Sequence, residues 1–276
     1  MKLDNFPPVY YITLEDSKLR QEVMENQLES FGVKDYTKFI AFDGRNVDFC
    51  ETVDIRHRFD HFHGQFDSGV IATMLSHMYA IKYWLQTSDS PTAVFFEDDM
   101  NLNTCHFWNF TWDDIMEKVN EKEPGWQVIQ LSLIKTDDAE IALDEKDLRF
   151  RRRTWYNWSA GAYMMTRRYA ERLVANHIPE ENVLNTDLLD HSEVFPCIEN
   201  MLYVGARPFE YTIPLFVENV NFKSTFYPKF IEEDRKNGQI HSSNFVYNWW
   251  KKNGPNLDFD WFMRFKNARY WETNED

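Results

Sequence analysis

The stretch Thr92-Ala93-Val94-Phe95-Phe96-Glu97-Asp98-Asp99 constrains most strongly what this chain can fold into. Small, β-branched and aromatic residues after Pro91 run directly into three consecutive carboxylates. A short apolar run with turn chemistry on one side and charge on the other reads as a central strand, covered on both faces, of an α/β sheet. Acids at its carboxyl end stand where open α/β sheets bind ligands. Three adjacent carboxylates repel one another, and a divalent cation relieves that repulsion; an all-oxygen donor set favours Mg²⁺ or Mn²⁺ over Zn²⁺. The plainer alternative is an acidic turn that follows a strand.

The sequence before this strand builds toward it. Val9-Tyr10-Tyr11-Ile12-Thr13-Leu14 reads as a first strand, and Glu15-Asp16-Ser17 supplies helix-capping chemistry. Leu19, Val23, Leu28 and Phe31 then recur near helical spacing as far as Gly32. Lys38-Phe39-Ile40-Ala41-Phe42 predicts a second strand ended by Asp43-Gly44. Strand, helix, strand is the opening of a Rossmann-like nucleotide-binding half. The polar segment 45–67 holds His57, His61 and His63 and reads as a His-bearing loop, because no fourth ligand with zinc spacing accompanies them. From about Val70 to Gln86 the apolar residues go almost all the way round a helix, which predicts burial. Ser76 and His77 interrupt it, and buried polar groups of this kind mostly satisfy neighbouring backbone.

After the acids, Trp112–Val119 reads as a helix and Trp126–Leu133 as a strand. Arg149, Arg151, Arg152 and Arg153 form a basic knot, read as a solvated hairpin face or as a contact for an anionic ligand. Ser159-Ala160-Gly161-Ala162 precedes an apolar run and predicts a strand whose backbone approaches something closely. Arg167-Arg168 opens another helix, and Cys197–Val204 a short one. Tyr211–Val217 is a strand interrupted by Pro214, hence expected at a sheet edge. Beyond Asn221 the pattern dissolves into a tail carrying Trp249, Trp250, Trp261 and Trp271. The expected organisation is a domain over 1–220 and an irregular, aromatic-rich extension over 221–276 packed on it.

Composition narrows function. With 45 acidic against 30 basic residues the formal net charge is -15, which argues against broad binding to nucleic acid or anionic membrane. Three scattered cysteines, without a CxxC, make no disulfide framework. No run is apolar and long enough for a signal peptide or a membrane span, so the expectation is a soluble cytoplasmic protein. The chain lacks GxGxxG, a P-loop, GxSxG and HExxH, which sets aside dinucleotide dehydrogenases, Walker-type NTPases and the commonest hydrolases. What remains suits an enzyme that binds a nucleoside diphosphate through a metal, the metal neutralising charge as the diphosphate leaves.

Five ordered blocks carry a family resemblance. They are the opening strand and helix from Tyr10, Phe39-Ile40-Ala41-Phe42-Asp43-Gly44, the Gly69…Leu75-Ser76-His77…Ala80 helix, Glu97-Asp98-Asp99 at a strand end, and the small-residue strand and helix from Ser159 to Val174. Together they resemble glycosyltransferase family 25, the lipopolysaccharide-biosynthesis and procollagen-galactosyltransferase type, over Val9 to Val174. Thr13 departs from the family, where an Asn is usual, and the block before Leu75 lacks the usual second glycine and cysteine. The resemblance implies a GT-A type, Rossmann-like mixed sheet flanked by helices. It also implies a UDP-sugar donor and inversion at the anomeric carbon: a metal-dependent transferase of galactose or glucose acting on a glycan, lipid-linked or protein hydroxyl. A non-catalytic nucleotide- or glycan-binding relative and a nucleotide-sugar hydrolase are the alternatives.

Carried onto this chain, the resemblance makes Asp99 a direct ligand of Mn²⁺ or Mg²⁺. Glu97 shares the metal or holds ribose, and Asp98 serves the donor. Thr13, Leu14 and Asp43 line the nucleotide pocket, and His241 completes the metal site from the C-terminal side. An inverting reaction needs a general base; Glu199 is the first candidate, in the one late block with family likeness, with Asp187 and Asp190 next.

Overall fold

The computed structural model describes residues 1–46, 52–56, 68–134, 148–154, 157–187, 197–207, 209–222 and 232–264. His57, His61, His63, Asp190 and Trp271 lie outside them.

The expected α/β architecture, a mixed sheet flanked by helices, is what the chain forms. Strand β1 (Val9–Thr13) leads through α1 (Lys18–Ser30) to β2 (Tyr36–Ile40), which pairs parallel to β1. A short strand β3 (Asp54–Arg56) and the buried helix α2 (Ser68–Thr87) precede β4 (Thr92–Glu97), which pairs parallel to β1 on its other side. After β5 (Met100–Asn101), α3 (Trp112–Lys122), β6 (Val128–Ser132) and β7 (Arg151–Arg152), strand β8 (Ala162–Thr166) inserts antiparallel between β4 and β6. Helix α4 (Arg167–His177), β9 (Val183–Asn185), α5 (Ile198–Tyr203) and β10 (Glu210–Glu218) follow. The sheet order is β2-β1-β4-β8-β6-β10-β5, with β7 also on β10, while β3 and β9 form a separate parallel pair.

The apolar content of β4 is explained by its position: Ala93 to Phe96 are fully buried, with alternate side chains entering cores on opposite faces of the sheet. One core holds Val94 and Phe96 against α1, α3 and the C-terminal helices; the other holds Phe95 against Met78, Ile81 and Trp84 of α2. Helix α1 turns differently from its expected apolar face. Leu19 is exposed, and Gln21, Met24 and Leu28 are the buried residues. Gln21 is recruited because its amide donates to the Leu14 carbonyl at 2.7 Å, satisfying backbone at the end of β1.

Two further expectations are corrected. β10 is not an edge strand: it pairs parallel with β6 and antiparallel with β7 and β5, and eight of its nine residues are buried. Pro214 is accommodated by a register shift between Thr212 and Phe216, where the missing N–H interrupts no regular ladder. The segment beyond Asn221 is not patternless. It contains the 22-residue helix α6 (Glu232–Asn253) and the short α7 (Phe259–Phe262). Trp250 anchors α6 on the sheet: the side chain is fully buried and its indole N–H donates to the Pro214 carbonyl at 2.9 Å. With Trp108, Phe110 and Phe262 around it, Trp250 packs the tail onto the domain. Among the described residues no helix is long and apolar enough to cross a membrane.

Candidate functional site

Strands β1, β4, β6 and β10 all run in one direction, so their carboxyl ends gather along one edge of the sheet. Thr13, Glu97, Ser132 and Glu218 are the last residues of those strands. The acidic triplet is the turn that carries the chain from β4 to β5, and its backbone is tied to three different neighbours. Glu97 N–H donates to the Gly161 carbonyl at 2.8 Å, and Asp98 N–H to the Ile12 carbonyl at 3.1 Å; the Asp99 carbonyl accepts from Asn219 N–H at 2.6 Å. Met100 then pairs with Glu218, which brings a fourth carboxylate to the triplet.

The small-residue segment ahead of β8 makes this approach possible, as its sequence predicts. A Cβ on Gly161 would lie 2.6 Å from Met100 Sδ. Ser159 is held at φ 111°, a strained backbone for a residue with a side chain. Its hydroxyl is 2.7 Å from that of Ser132 and accepts from Gly161 N–H at 3.1 Å.

The three triplet side chains have separate environments. Asp98 faces inward, 7% exposed, and accepts from Thr13 Oγ1 at 2.6 Å and from Arg20 Nη1 at 2.7 Å. Arg20 also reaches Asp99 at 3.4 Å, and its guanidinium lies over the Phe222 ring. Asp99 keeps its Oδ1 buried with no hydrogen-bond partner among the described residues. Burial, followed by the charge of Glu97, pushes the Asp99 carboxyl up to about 7. Glu97 is the most exposed of the three side chains, at 33%, and one of its oxygens lies 3.2 Å from His77 Nε2. Glu218 is raised well above the usual carboxylate range by burial and then by the charges of Asp99, Glu97 and Glu199. The edge is therefore crowded with negative charge that Arg20 offsets only in part.

The expected site residues fare differently. Glu97, Asp99 and Glu199 each act electrostatically on Glu218, Glu199 from the first turn of α5. Thr13 is buried, and its hydroxyl is given to Asp98. Leu14 follows it, its carbonyl taken by Gln21. Asp43 stands after β2 on the same edge, gripped by Arg45 through both oxygens, which lowers its pKa. Asp187 follows β9, with a buried Oδ1 that has no partner among the described residues and no described contact to the triplet. His241 is an exposed residue of α6, and among the described residues no three His, Cys, Asp or Glu side chains converge as a metal ligand set.

Sequence reading assigned no site role to Arg20, His77 or Glu218. Glu218 carried the same signal as the triplet, an acid ending an apolar run, but Pro214 led that run to be assigned to an edge. His77 was read as a residue that satisfies backbone. That role belongs to Ser76, which accepts from Phe42 N–H at 2.9 Å and donates to the Ala72 carbonyl at 2.6 Å.

Similarity to solved structures is distant. A protein from STIV aligns at 11% identity over 77% of this chain and 84% of its own, with TM-score 0.40. An active-site mutant of LgtC aligns at 10% identity over 83% of each chain, with TM-score 0.39. A glycosyltransferase involved in the glycosylation of the major capsid of PBCV-1 aligns at 8% over 75% of this chain and 82% of its own, with TM-score 0.32. No curated protein matches the sequence. Residues 6–189, well over half of the chain, match the profile of glycosyltransferase family 25 (LPS biosynthesis protein) and extend past the blocks legible by eye. On that match the chain belongs to glycosyltransferase family 25.

Proposed function

We propose that this glycosyltransferase is a metal-dependent, inverting enzyme that moves a hexose, galactose or glucose, from a UDP-sugar to a hydroxyl of a glycan, lipid-linked or protein acceptor. The observation that carries the reading is the unbalanced carboxylate edge, with a buried Asp99 oxygen that has no partner among the described residues. Such an oxygen costs stability unless something binds it. Burial, joined by the charge of neighbouring carboxylates, raises both Asp99 and Glu218, and a hard divalent cation with oxygen ligands relieves both. The donor chemistry fits Mn²⁺ or Mg²⁺, with Asp99 as the principal ligand and Glu97 or Glu218 as partners. The bound cation would neutralise the charge on the departing diphosphate.

The chain's own residues divide the remaining work. Arg20 and Thr13 fix Asp98, which anchors the turn so that its neighbours present oxygen atoms to the edge. Glu97, the most exposed, is available to the donor or its cation. Leu14 and Asp43 stand where the nucleotide would lie. Glu199, on a different element from the triplet, is the base that takes the proton of the acceptor hydroxyl as its oxygen attacks the anomeric carbon. The carbon–oxygen bond to the diphosphate breaks on the opposite side, which gives inversion.

Calorimetric titration with UDP and with GDP, each with and without Mn²⁺, tests this. The expected result is UDP binding that needs the metal and is lost in Asp99→Asn. Absence of nucleotide binding under all four conditions would overturn the reading.

A further inference from the structure

Glu97 is connected to the interior by a chain of two buried side chains. His77 lies in the middle of α2 and Tyr163 in β8; both are essentially inaccessible. The Tyr163 hydroxyl is 3.0 Å from His77 Nδ1, and His77 Nε2 is 3.2 Å from Glu97 Oε1. The imidazole and phenol rings stack at 5.7 Å and 29°, and Tyr163 stacks in turn on Phe95, two residues before Glu97, at 5.1 Å. The phenol keeps its proton, since burial, then Tyr203 and the charge of Glu97, hold its pKa well above the ordinary value. A carboxylate only accepts, so the imidazole proton facing Glu97 sits on Nε2, and Nδ1 is left to accept from the Tyr163 hydroxyl.

We infer that Tyr163 and His77 are positioning residues that fix one oxygen of Glu97, so that its other oxygen is presented in a single orientation to the nucleotide-sugar or its cation. This rests on the proposed function, in which Glu97 serves the donor. The physical reason for such a device is local. Asp98 is locked by Thr13 and Arg20, and Asp99 has one oxygen buried and the other 3.4 Å from Arg20, whereas a glutamate at 33% exposure has three rotatable bonds and no other described partner to restrain it. Histidines and carboxylates that orient a ligating side chain act in this way, and their loss typically costs about ten- to a hundredfold in affinity or activity.

Two measurements on the full chain decide it. The first reads the His77 tautomer by long-range proton–nitrogen correlation with ¹⁵N-histidine labelling. The expected form carries its proton on Nε2, and its Nε2 signal moves in Glu97→Gln. A proton on Nδ1, or an Nε2 signal indifferent to Glu97→Gln, overturns the inference. The second compares UDP affinity with Mn²⁺ in His77→Phe and His77→Gln, with melting temperature alongside. Glutamine can accept from Tyr163 and donate to Glu97, so it should recover most of the affinity, whereas phenylalanine should lose about tenfold or more. Equal affinity in wild type and both variants overturns the inference. Should His77→Phe fail to fold, Tyr163→Phe takes its place, with weakened affinity expected and unchanged affinity the contrary result. If the wild-type chain binds no nucleotide, the functional reading fails, and the tautomer measurement alone decides whether His77 holds Glu97.

Discussion

Two charged clusters stand out in this sequence, and the fold uses them in opposite ways. The basic knot at Arg149–Arg153 is absorbed into structure. Arg149 lies over the Trp261 ring at 4.8 Å and Arg152 over Tyr211 at 5.7 Å. Arg151 donates to Asn157 Oδ1 at 3.1 Å. Arg153, 2% exposed, stacks on Tyr203 at 4.1 Å and donates to the Asn157 carbonyl at 2.5 Å. The acidic edge differs: there carboxylates face carboxylates. A run of like charge is therefore ambiguous in sequence. What distinguishes the two is whether aromatic faces and carbonyls in the fold take up the charge, or whether the fold drives the charges together. Arg153 is buried and so lies on no solvated face; guanidinium planes are suited to ring stacking and carbonyl contacts.

The largest effect should come from the acidic side. Asp99→Asn should lower sugar transfer by at least about a hundredfold, while raising the melting temperature of the metal-free chain at neutral pH, because it removes a charge the fold holds at a cost. Opposite signs for activity and stability, measured on the same preparation, are the mark of a strained functional charge. Arg20→Met should come next. It leaves Asp98 buried without its cation, a change that costs about 3 kcal/mol in denaturant unfolding. On the basic side, Arg153→Met should lower stability by about 1–2 kcal/mol through the lost stacking and carbonyl hydrogen bond, with no gain of stability at any pH. If Arg153→Met stabilised the fold, the contrast between the clusters would collapse.

The pH dependence of metal-free stability tests the same contrast. Asp99 is raised to about 7, above the ordinary value of 3.8 that it regains on unfolding. The folded state thus holds its proton more tightly, so this group favours folding below the ordinary value and loses that contribution as pH rises toward and through 7. Melting temperature should fall as pH rises from 3.8 to about 7, and the slope should flatten in Asp99→Asn. An identical slope in the variant would place the repulsion elsewhere.

Much of the fold could be read because its signals are local. The strands at Val9 and Thr92, the helices opening near Ser68, Trp112 and Arg167, and the close approach at Gly161 each announce themselves within a few residues. Helix α6 could not be read in this way. Its sequence mixes charge, amide and aromatic residues with little periodicity, and it is held by tertiary contacts such as Trp250 on Pro214. The site divides on the same line. Glu97 and Asp99 are visible as a strand end, whereas His77 and Glu218 reach them across 20 and 119 positions of sequence, from elements whose packing no window contains.

The late arrival of β10 has a consequence in time. Glu218 completes the acidic edge, yet the triplet it joins is synthesised 119 residues earlier. Chains emerge from the N-terminal side, and pairings between distant segments form slowly. Until β10 slides in beside β6 and meets β5, Asp99 has neither Glu218 to repel nor Asn219 to hold its carbonyl. The nascent protein therefore carries an acidic turn with no fourth carboxylate, and the crowding that defines the site arises only when β10 joins the sheet.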